Sequence, residues 1–293
     1  MAKPGCSDAV SSGMRTRLPW LVLSLGVLGL GALALRSRAG MRAPFDVPSA
    51  RAAEGDAPVP VLVELFTSEG CSSCPPAEEE LLRLERDQPV AGVRFVPIGF
   101  HVDYWNDLGW PDPFSSPAWT NRQRERDRMH NGQLYTPQAV VQGERECNGS
   151  DDGALRSLAS QAASAPRMAV SVARAPGVAG APAGPDEVRV AVNVGPLASG
   201  ATAALSVSVV LVEHDVVMAV TRGENAGRRL HHAPVARDLV RAGSVGAGGG
   251  TATATLHVPP STAKDKLEVV AVVEDPSAGR VVGIGTARLL LPP

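Results

Sequence analysis

Apolar positions along this chain change rhythm near Pro166. Before that point, short unbroken apolar runs alternate with stretches of helical spacing. Val59 to Ser68 (VPVLVELFTS) is rich in Val and Leu and reads as a buried parallel-type strand. Val93 to Val102 (VRFVPIGFHV) reads as a second strand, with Pro97 predicting a bulge or an edge position. Between them Pro75 or Pro76 opens a helix, since proline is tolerated in the first turn. Glu78, Glu79 and Glu80 suit the positive end of its dipole, Leu81, Leu82 and Leu84 supply a buried face, and Pro89 ends it. Ser116 reads as an N-cap with Pro117 at the first helical position, for a helix running toward Asn131 and Gly132. Gln138 to Gln142 is a third strand, a short strand to Cys147 follows Gly143, and Asp151 or Asp152 caps a helix ending near Ser164. The order predicts an α/β sheet with helices on both faces, over residues 59–165.

After Pro166 the pattern becomes short Val/Ala/Thr-rich runs separated by Gly, Pro and Ser turns. Met168–Arg174, Glu187–Val194, Ala203–Glu213, Asp215–Arg222, Thr251–Val258, Leu267–Glu274 and Val281–Leu290 are the runs. Many alternate apolar and polar residues, which predicts an antiparallel β-sandwich over residues 166–293.

The first forty residues add a targeting signal. Lys3, Arg15 and Arg17 precede the uncharged apolar run Leu18 to Leu35, which reads as a signal peptide or a signal anchor. Ala32-Leu33-Ala34 offers a small-x-small cleavage site, and residues 41–58 read as a linker. The expected location is periplasmic or secreted, with Leu18–Leu35 as the membrane anchor if it is retained. Hydrophobic residues make up 44% of the 293, enough for a sizeable core. The formal net charge of -2 carries no electrostatic footprint for nucleic acid. No Walker pattern, dinucleotide glycine pattern or Gly-x-Ser-x-Gly elbow occurs, so neither an organic cofactor nor serine hydrolase chemistry is expected.

Export changes the reading of the four cysteines. Cys6 precedes the apolar run, whereas Cys71, Cys74 and Cys147 would face an oxidising compartment. Cys71-Ser-Ser-Cys74 stands where a strand ends and a helix begins, so the helix dipole lowers the pKa of the exposed N-terminal thiol. Cys71 is then the nucleophile and Cys74 the resolving thiol, with the charge of Glu69 acting against the thiolate. Thr136-Pro137, just before a strand, is a plausible cis site. Two other readings of the pair stay open: a structural disulfide, or a copper or zinc site completed by His101 or His130. Beside Asp103, His101 reads as a satisfied structural histidine. Tyr104, Trp105, Trp110, Phe114 and Trp119 line a substrate groove or pack their Pro-rich loop. Arg122, Arg124, Arg126 and Arg128 read as a solvated helix face. Glu213-His214-Asp215 and His231-His232 are metal-capable but lack partners at a defined spacing.

Phe66 to Pro76 (FTSEGCSSCPP), Phe100 to Trp105 (FHVDYW), Tyr135 to Gln138 (YTPQ) and Gly223 to Arg228 (GENAGR) together carry a resemblance. They resemble the thioredoxin superfamily and, within it, the secreted bacterial family known as domain of unknown function 1223. The resemblance implies an α/β thioredoxin-like domain followed by an all-β domain. It also implies a cis proline at Pro137 stacked against the dithiol, with Tyr135, Thr136 and Trp105 meeting an incoming chain. Ser-Ser between the cysteines, the aromatic insertion and Cys147 depart from well-studied thioredoxins. The expected activity is disulfide exchange with a disulfide- or thiol-containing exported protein. The alternative is a non-catalytic binding protein or metallochaperone that uses the same cysteines for copper or zinc, or as a structural disulfide.

Overall fold

The computed structural model describes residues 57–128, 132–175, 184, 186–197 and 204–289. The first apolar run forms strand β1 (Val59–Thr67), and helix α1 (Pro75–Asp87) follows with prolines in its first turn. Gln88 ends α1 in left-handed backbone, φ 44°, with its N–H returned to the Leu84 carbonyl. Strand β2 (Val93–His101) lies parallel to β1, Val93 opposite Val59. Pro97 sits in regular register opposite Val63, without a bulge. Two residues on, Gly99 donates away from β1 to the Pro234 carbonyl. By the alternation of a strand, the ring nitrogen of Pro97 faces that same side, where no ladder bond is lost.

Ser116 caps α2 (Pro117–Asp127) by accepting the Ala118 N–H, and Asp151 caps α3 (Asp152–Ala163) by accepting that of Ala154. Between them β3 (Gln138–Val141) pairs with β1 and with β4 (Arg145–Asn148), antiparallel to both. The second half supplies β5 (Met168–Arg174), β6 (Glu187–Val194), β7 (Leu205–Glu213), β8 (Val217–Ala219), β9 (Arg229–His231), β10 (Val235–Val245), β11 (Gly250–His257), β12 (Leu267–Asp275) and β13 (Arg280–Arg288). The sequence pattern misses β10 because register shifts at Ala236/Asp238 and Arg241/Gly243 break its alternation.

The expected α/β thioredoxin-like domain followed by a β-sandwich is not formed. Eleven strands make one mixed sheet, in the order β11-β6-β5-β13-β12-β7-β10-β2-β1-β3-β4. The reason lies in β7 and β12, whose residues are buried on both faces. Val207, Val209 and Leu211 of β7 share a core with Val190 and Val192 of β6 and Leu256 of β11. Val210 and Val212, on the opposite face, share a core with Ile98 and Phe100 of β2 and with Trp119 of α2. An independent sandwich would leave that second face to water. A third core, between the other face of β1 and helices α1 and α3, contains Val63, Leu65, Leu81, Leu84 and Leu155.

Charge joins the two halves as well. The solvated face expected for the α2 arginines holds for Arg124 and Arg128, but Arg122 and Arg126 are buried. Four residues apart, they share the inward face of the helix. Arg122 donates to Glu64 of β1 at 2.5 Å and to Glu274 of β12 at 3.2 Å. Arg126 donates to Glu64 at 2.6 Å, to Glu274, and to the Gly279 carbonyl at 3.1 Å. Burial would discharge Glu274, but the two guanidiniums hold its pKa below the ordinary carboxylate value.

His214, after β7, lies 2.9 Å from Glu268 of β12 and 3.4 Å from Glu85 of α1. Burial disfavours its imidazolium, but these two carboxylates prevail and raise its pKa to about 9. The raised value fixes the sign of the linkage. The contribution is complete below the unfolded pKa of ~6.5 and is lost as pH climbs through about 9. Allowing for solvent screening, it is worth on the order of 2 kcal/mol. The melting-temperature gap between the wild type and His214→Gln should therefore be wide at pH 6 and closed at pH 10. A gap that stays constant over that range sinks the assignment.

Among the described residues no helix is long and apolar enough to cross a membrane, and the expected anchor Leu18–Leu35 lies outside those residues.

Candidate functional site

Where β1 ends, Thr67 to Gly70 turn the chain into Cys71-Ser-Ser-Cys74, and Cys74 becomes the N-cap of α1. Its carbonyl accepts the N–H groups of Ala77 and Glu78, while its side chain caps nothing. Cys71 and Cys74 are joined as a disulfide, with Cα atoms 5.5 Å apart. The cysteine residues are 0% and 1% exposed, whereas Ser72 and Ser73 between them face solvent.

The turn between β8 and β9 straps the backbone around the cysteines. Asn225, fully buried, donates from Nδ2 to the carbonyls of Glu69 (2.8 Å) and Cys71 (3.0 Å). Glu224 accepts the Ser72 N–H at 3.2 Å. Gly223 (φ 73°) lets this strap lie on the aromatic loop, since a Cβ there would stand 3.0 Å from that of Trp110.

The Thr136-Pro137 bond is cis. Trp105 donates its indole N–H to Thr136 Oγ1 at 2.9 Å and lies against Gly70, beside Cys71. The Pro137 carbonyl accepts the Gly149 N–H, and a Cβ on Gly149 would touch both Pro137 and Ala77 of α1. The aromatic loop and the cis turn thus meet around the start of α1. Tyr135 offers its carbonyl to Gln123 of α2 at 2.8 Å. Cys147, on β4, lies in the apolar core beneath α1 and α3. His130 lies outside the described residues.

Behind the disulfide stands a buried polar cluster that the sequence does not announce. It holds Glu69, Glu78, His101, Asp112 and His232, each at most 4% exposed. His101 is not paired with Asp103, whose carboxylate accepts the Thr120 hydroxyl at 2.5 Å. The partner of His101 is Asp112, eleven residues on, 2.7 Å from Nδ1. Asp112 also accepts the N–H groups of Glu69 and Phe114, and His101 with these two amides outweighs burial, holding its carboxyl below the ordinary range. Glu69 accepts the Trp110 indole N–H at 2.7 Å and faces His232 Nε2 at 2.9 Å. Its side chain therefore bonds His232 and the indole, and its charge is not turned on Cys71 as its place two residues before that cysteine predicts. Burial disfavours charge on His232, but Glu69 and Glu78 raise its pKa to about 10. Glu78 accepts the Ala233 N–H at 2.7 Å; burial would raise its pKa, but His232, His101 and that amide keep it low. The signals for this cluster were present only singly: Glu69 and Glu78 flank the cysteines, and His232 follows His231 far along the chain.

A cavity of about 100 Å³ lies beside the cluster, lined by Thr67, Cys74, Glu78 and His232 among others. A wider cleft of about 600 Å³ runs between α2 and β10, past Phe114, Trp119 and Arg237, and none of the cysteines lines it.

A crystal structure of an Agrobacterium tumefaciens protein, a structural-genomics target, is similar to this chain with 26% identity and a TM-score of 0.58. The match covers 80% of this chain and 96% of that one. HBP35 of Porphyromonas gingivalis, 16% identical with a TM-score of 0.57 over 80% of this chain and 77% of its own, is similar in fold. No curated protein matches the chain. The family model described as protein of unknown function DUF1223 matches residues 62–274, a span that contains the disulfide, the strap and the whole polar cluster. That span is well over half of the 293 residues, and the chain belongs to the DUF1223 family.

Proposed function

We propose that this chain is an exported thiol–disulfide exchange protein that works through Cys71 and Cys74. One observation carries the reading: the two cysteines close a disulfide at the N-terminal end of α1, directly after Gly70, against which Trp105 lies while its indole bonds Thr136 of the cis Thr136-Pro137 turn. A helix N-terminus stabilises a thiolate formed there. In the oxidised chain, a partner thiolate attacks Cys71 Sγ. The partner–Cys71 bond forms, the Cys71–Cys74 bond breaks, and the electron pair leaves on Cys74 as thiolate. A second partner thiolate attacks the mixed disulfide and leaves the partner oxidised and Cys71 and Cys74 reduced. In the opposite direction Cys71 attacks a partner disulfide and Cys74 resolves it. Both cysteines are buried and the strap holds the Glu69 and Cys71 carbonyls through Asn225, so exchange on this reading requires the strap to open.

The partner on this reading is an exported protein carrying thiols or a disulfide, and a persistent disulfide suits an oxidising compartment such as the periplasm. A second reading, a structural staple, is favoured by the same burial of both cysteines. Thiol trapping in glutathione buffers of graded potential separates the two. Exchange predicts a reversible gain of two alkylated thiols, insulin reduction lost in Cys71→Ser, and a mixed disulfide trapped by Cys74→Ser. A pair that stays closed across those buffers and reduces no insulin leaves the staple.

A further inference from the structure

Three side chains of the buried cluster each spend one polar atom on the protein and keep another unspent. His101 uses Nδ1 on Asp112, His232 uses Nε2 on Glu69, and Glu78 uses Oε2 on the Ala233 N–H. The unspent atoms are His101 Nε2, His232 Nδ1 and Glu78 Oε1, all buried and without a hydrogen-bond partner. They point at one another. Glu78 Oε1 lies 3.6 Å from His232 Nδ1 and 3.9 Å from His101 Nε2, and all three fall within 4.8 Å. Unpartnered buried polar atoms are rare because each costs the full desolvation of its group. His232 Nδ1 and Glu78 Oε1 attract each other as an ion pair across 3.6 Å, too far for a hydrogen bond, and His101 Nε2 points at the same spot. A cation that displaces the His232 proton would find three ligand atoms converging on it.

The chemistry of the set identifies the occupant. Two imidazoles and one carboxylate are a ligand set for a divalent first-row transition metal with an open coordination position. Each imidazole is oriented from behind by a carboxylate, Asp112 on His101 and Glu69 on His232, the arrangement that fixes the tautomer and aims the free nitrogen at a metal. Bonds of ~2.1 Å in tetrahedral geometry need ligand atoms about 3.4 Å apart, so the two spacings to Glu78 Oε1 must close by about 0.2 and 0.5 Å, and the two imidazole nitrogens, within 4.8 Å of each other, by up to about 1.4 Å. The cluster also holds three carboxylates, Glu69, Glu78 and Asp112, whose polar contacts are indole, imidazole and amide groups. The charge on His232 balances one of them in the metal-free cluster, and a divalent cation that displaces its proton would balance two.

We propose that Glu78, His101 and His232 form a mononuclear binding site for a divalent first-row transition metal, zinc being the probe, with its open position toward the cavity that Thr67 and Cys74 also line. Thr67 Oγ1 is a further buried atom without a partner on that wall. The site uses no cysteine sulfur as ligand, so it stands independently of the exchange reaction.

The test uses the full chain, oxidised and stripped with chelator. Zinc is titrated calorimetrically, and cobalt(II) is followed by its visible absorption. One equivalent per chain is expected, and 15N imidazole NMR should move His101 Nε2 and His232 Nδ1 while leaving His214 in place. Glu78→Gln should weaken binding at least 100-fold, and Glu69→Gln, acting through His232, roughly 10–100-fold. Cys71→Ser combined with Cys74→Ser should bind zinc as the wild type does, whether or not disulfide exchange is real. Absence of stoichiometric zinc and cobalt binding overturns the proposal. So does binding that disappears with the cysteines or moves the resonances of other histidines. If Glu78→Gln does not fold, the identity of the shifted nitrogens in the wild type decides alone.

Discussion

Replacing Arg126 with alanine should destabilise the fold by about 3–5 kcal/mol, the cost of leaving a buried charge without its partner. Glu64 is fully buried in β1 and accepts from Arg122 and Arg126; Glu274 of β12 accepts from the same two. With Arg126 gone, one guanidinium faces two buried carboxylates, and the Gly279 carbonyl loses a donor. A unit of this size loses roughly 2–4 °C of melting temperature per kcal/mol, so the drop is on the order of 10 °C. Arg124→Ala, on the exposed face of the same helix, should cost no more than about 0.5 kcal/mol. Replacing all four charges together, Glu64→Leu, Arg122→Met, Arg126→Met and Glu274→Leu, should be close to neutral, because desolvation of the charges is relieved along with their attraction. Urea unfolding followed by circular dichroism measures all three. An Arg126→Ala loss below about 1 kcal/mol would mean that the network does not weld the halves.

The second large effect is kinetic. Asn225→Ala should speed reduction of the Cys71–Cys74 disulfide by a bulky phosphine by roughly 10–30-fold. The two Nδ2 hydrogen bonds that hold the strap together are worth about 2 kcal/mol, and that difference raises the open population by the same factor. Glu224→Ala removes only an exposed contact to Ser72 and should change the rate by less than about threefold. The measurement is the appearance of alkylated thiols under native conditions, beside a melting curve showing that the variant remains folded. An unchanged rate in folded Asn225→Ala would show that the strap is not the gate. The effect bears on function because the strap belongs to the second half of the chain and the cysteines to the first. Disulfide chemistry, on this reading, is controlled by a hairpin more than 150 residues away in sequence.

Local features of this protein were legible along the chain because local chemistry sets them. The two apolar runs became β1 and β2, Ser116 and Asp151 became caps, and the cysteines came to the start of a proline-opened helix. Thr136-Pro137 is cis, as its place before a strand suggested. Every one of these depends on residues a few positions apart. The larger architecture was not legible, because an apolar run records that a strand is buried and not what buries it. β7 and β12 are equally apolar in a sandwich and in the centre of an eleven-stranded sheet; only their second face, set against Ile98, Phe100 and Trp119, separates the two. Arg122 and Arg126 look like Arg124 and Arg128 until Glu64 and Glu274 arrive from distant strands. The same holds for the cluster behind the disulfide, where Glu69 meets His232 across 163 residues and His101 passes over its near neighbour Asp103 for Asp112. The amino-acid order by itself determined β1 to β4, the helices and their caps, most of the later strands though not β9 or β10, and the position of the dithiol. Tertiary structure alone decided the continuous sheet, the strap across the cysteine turn and the convergence of Glu78, His101 and His232, because burial and charge compensation act through space and leave no period in the sequence.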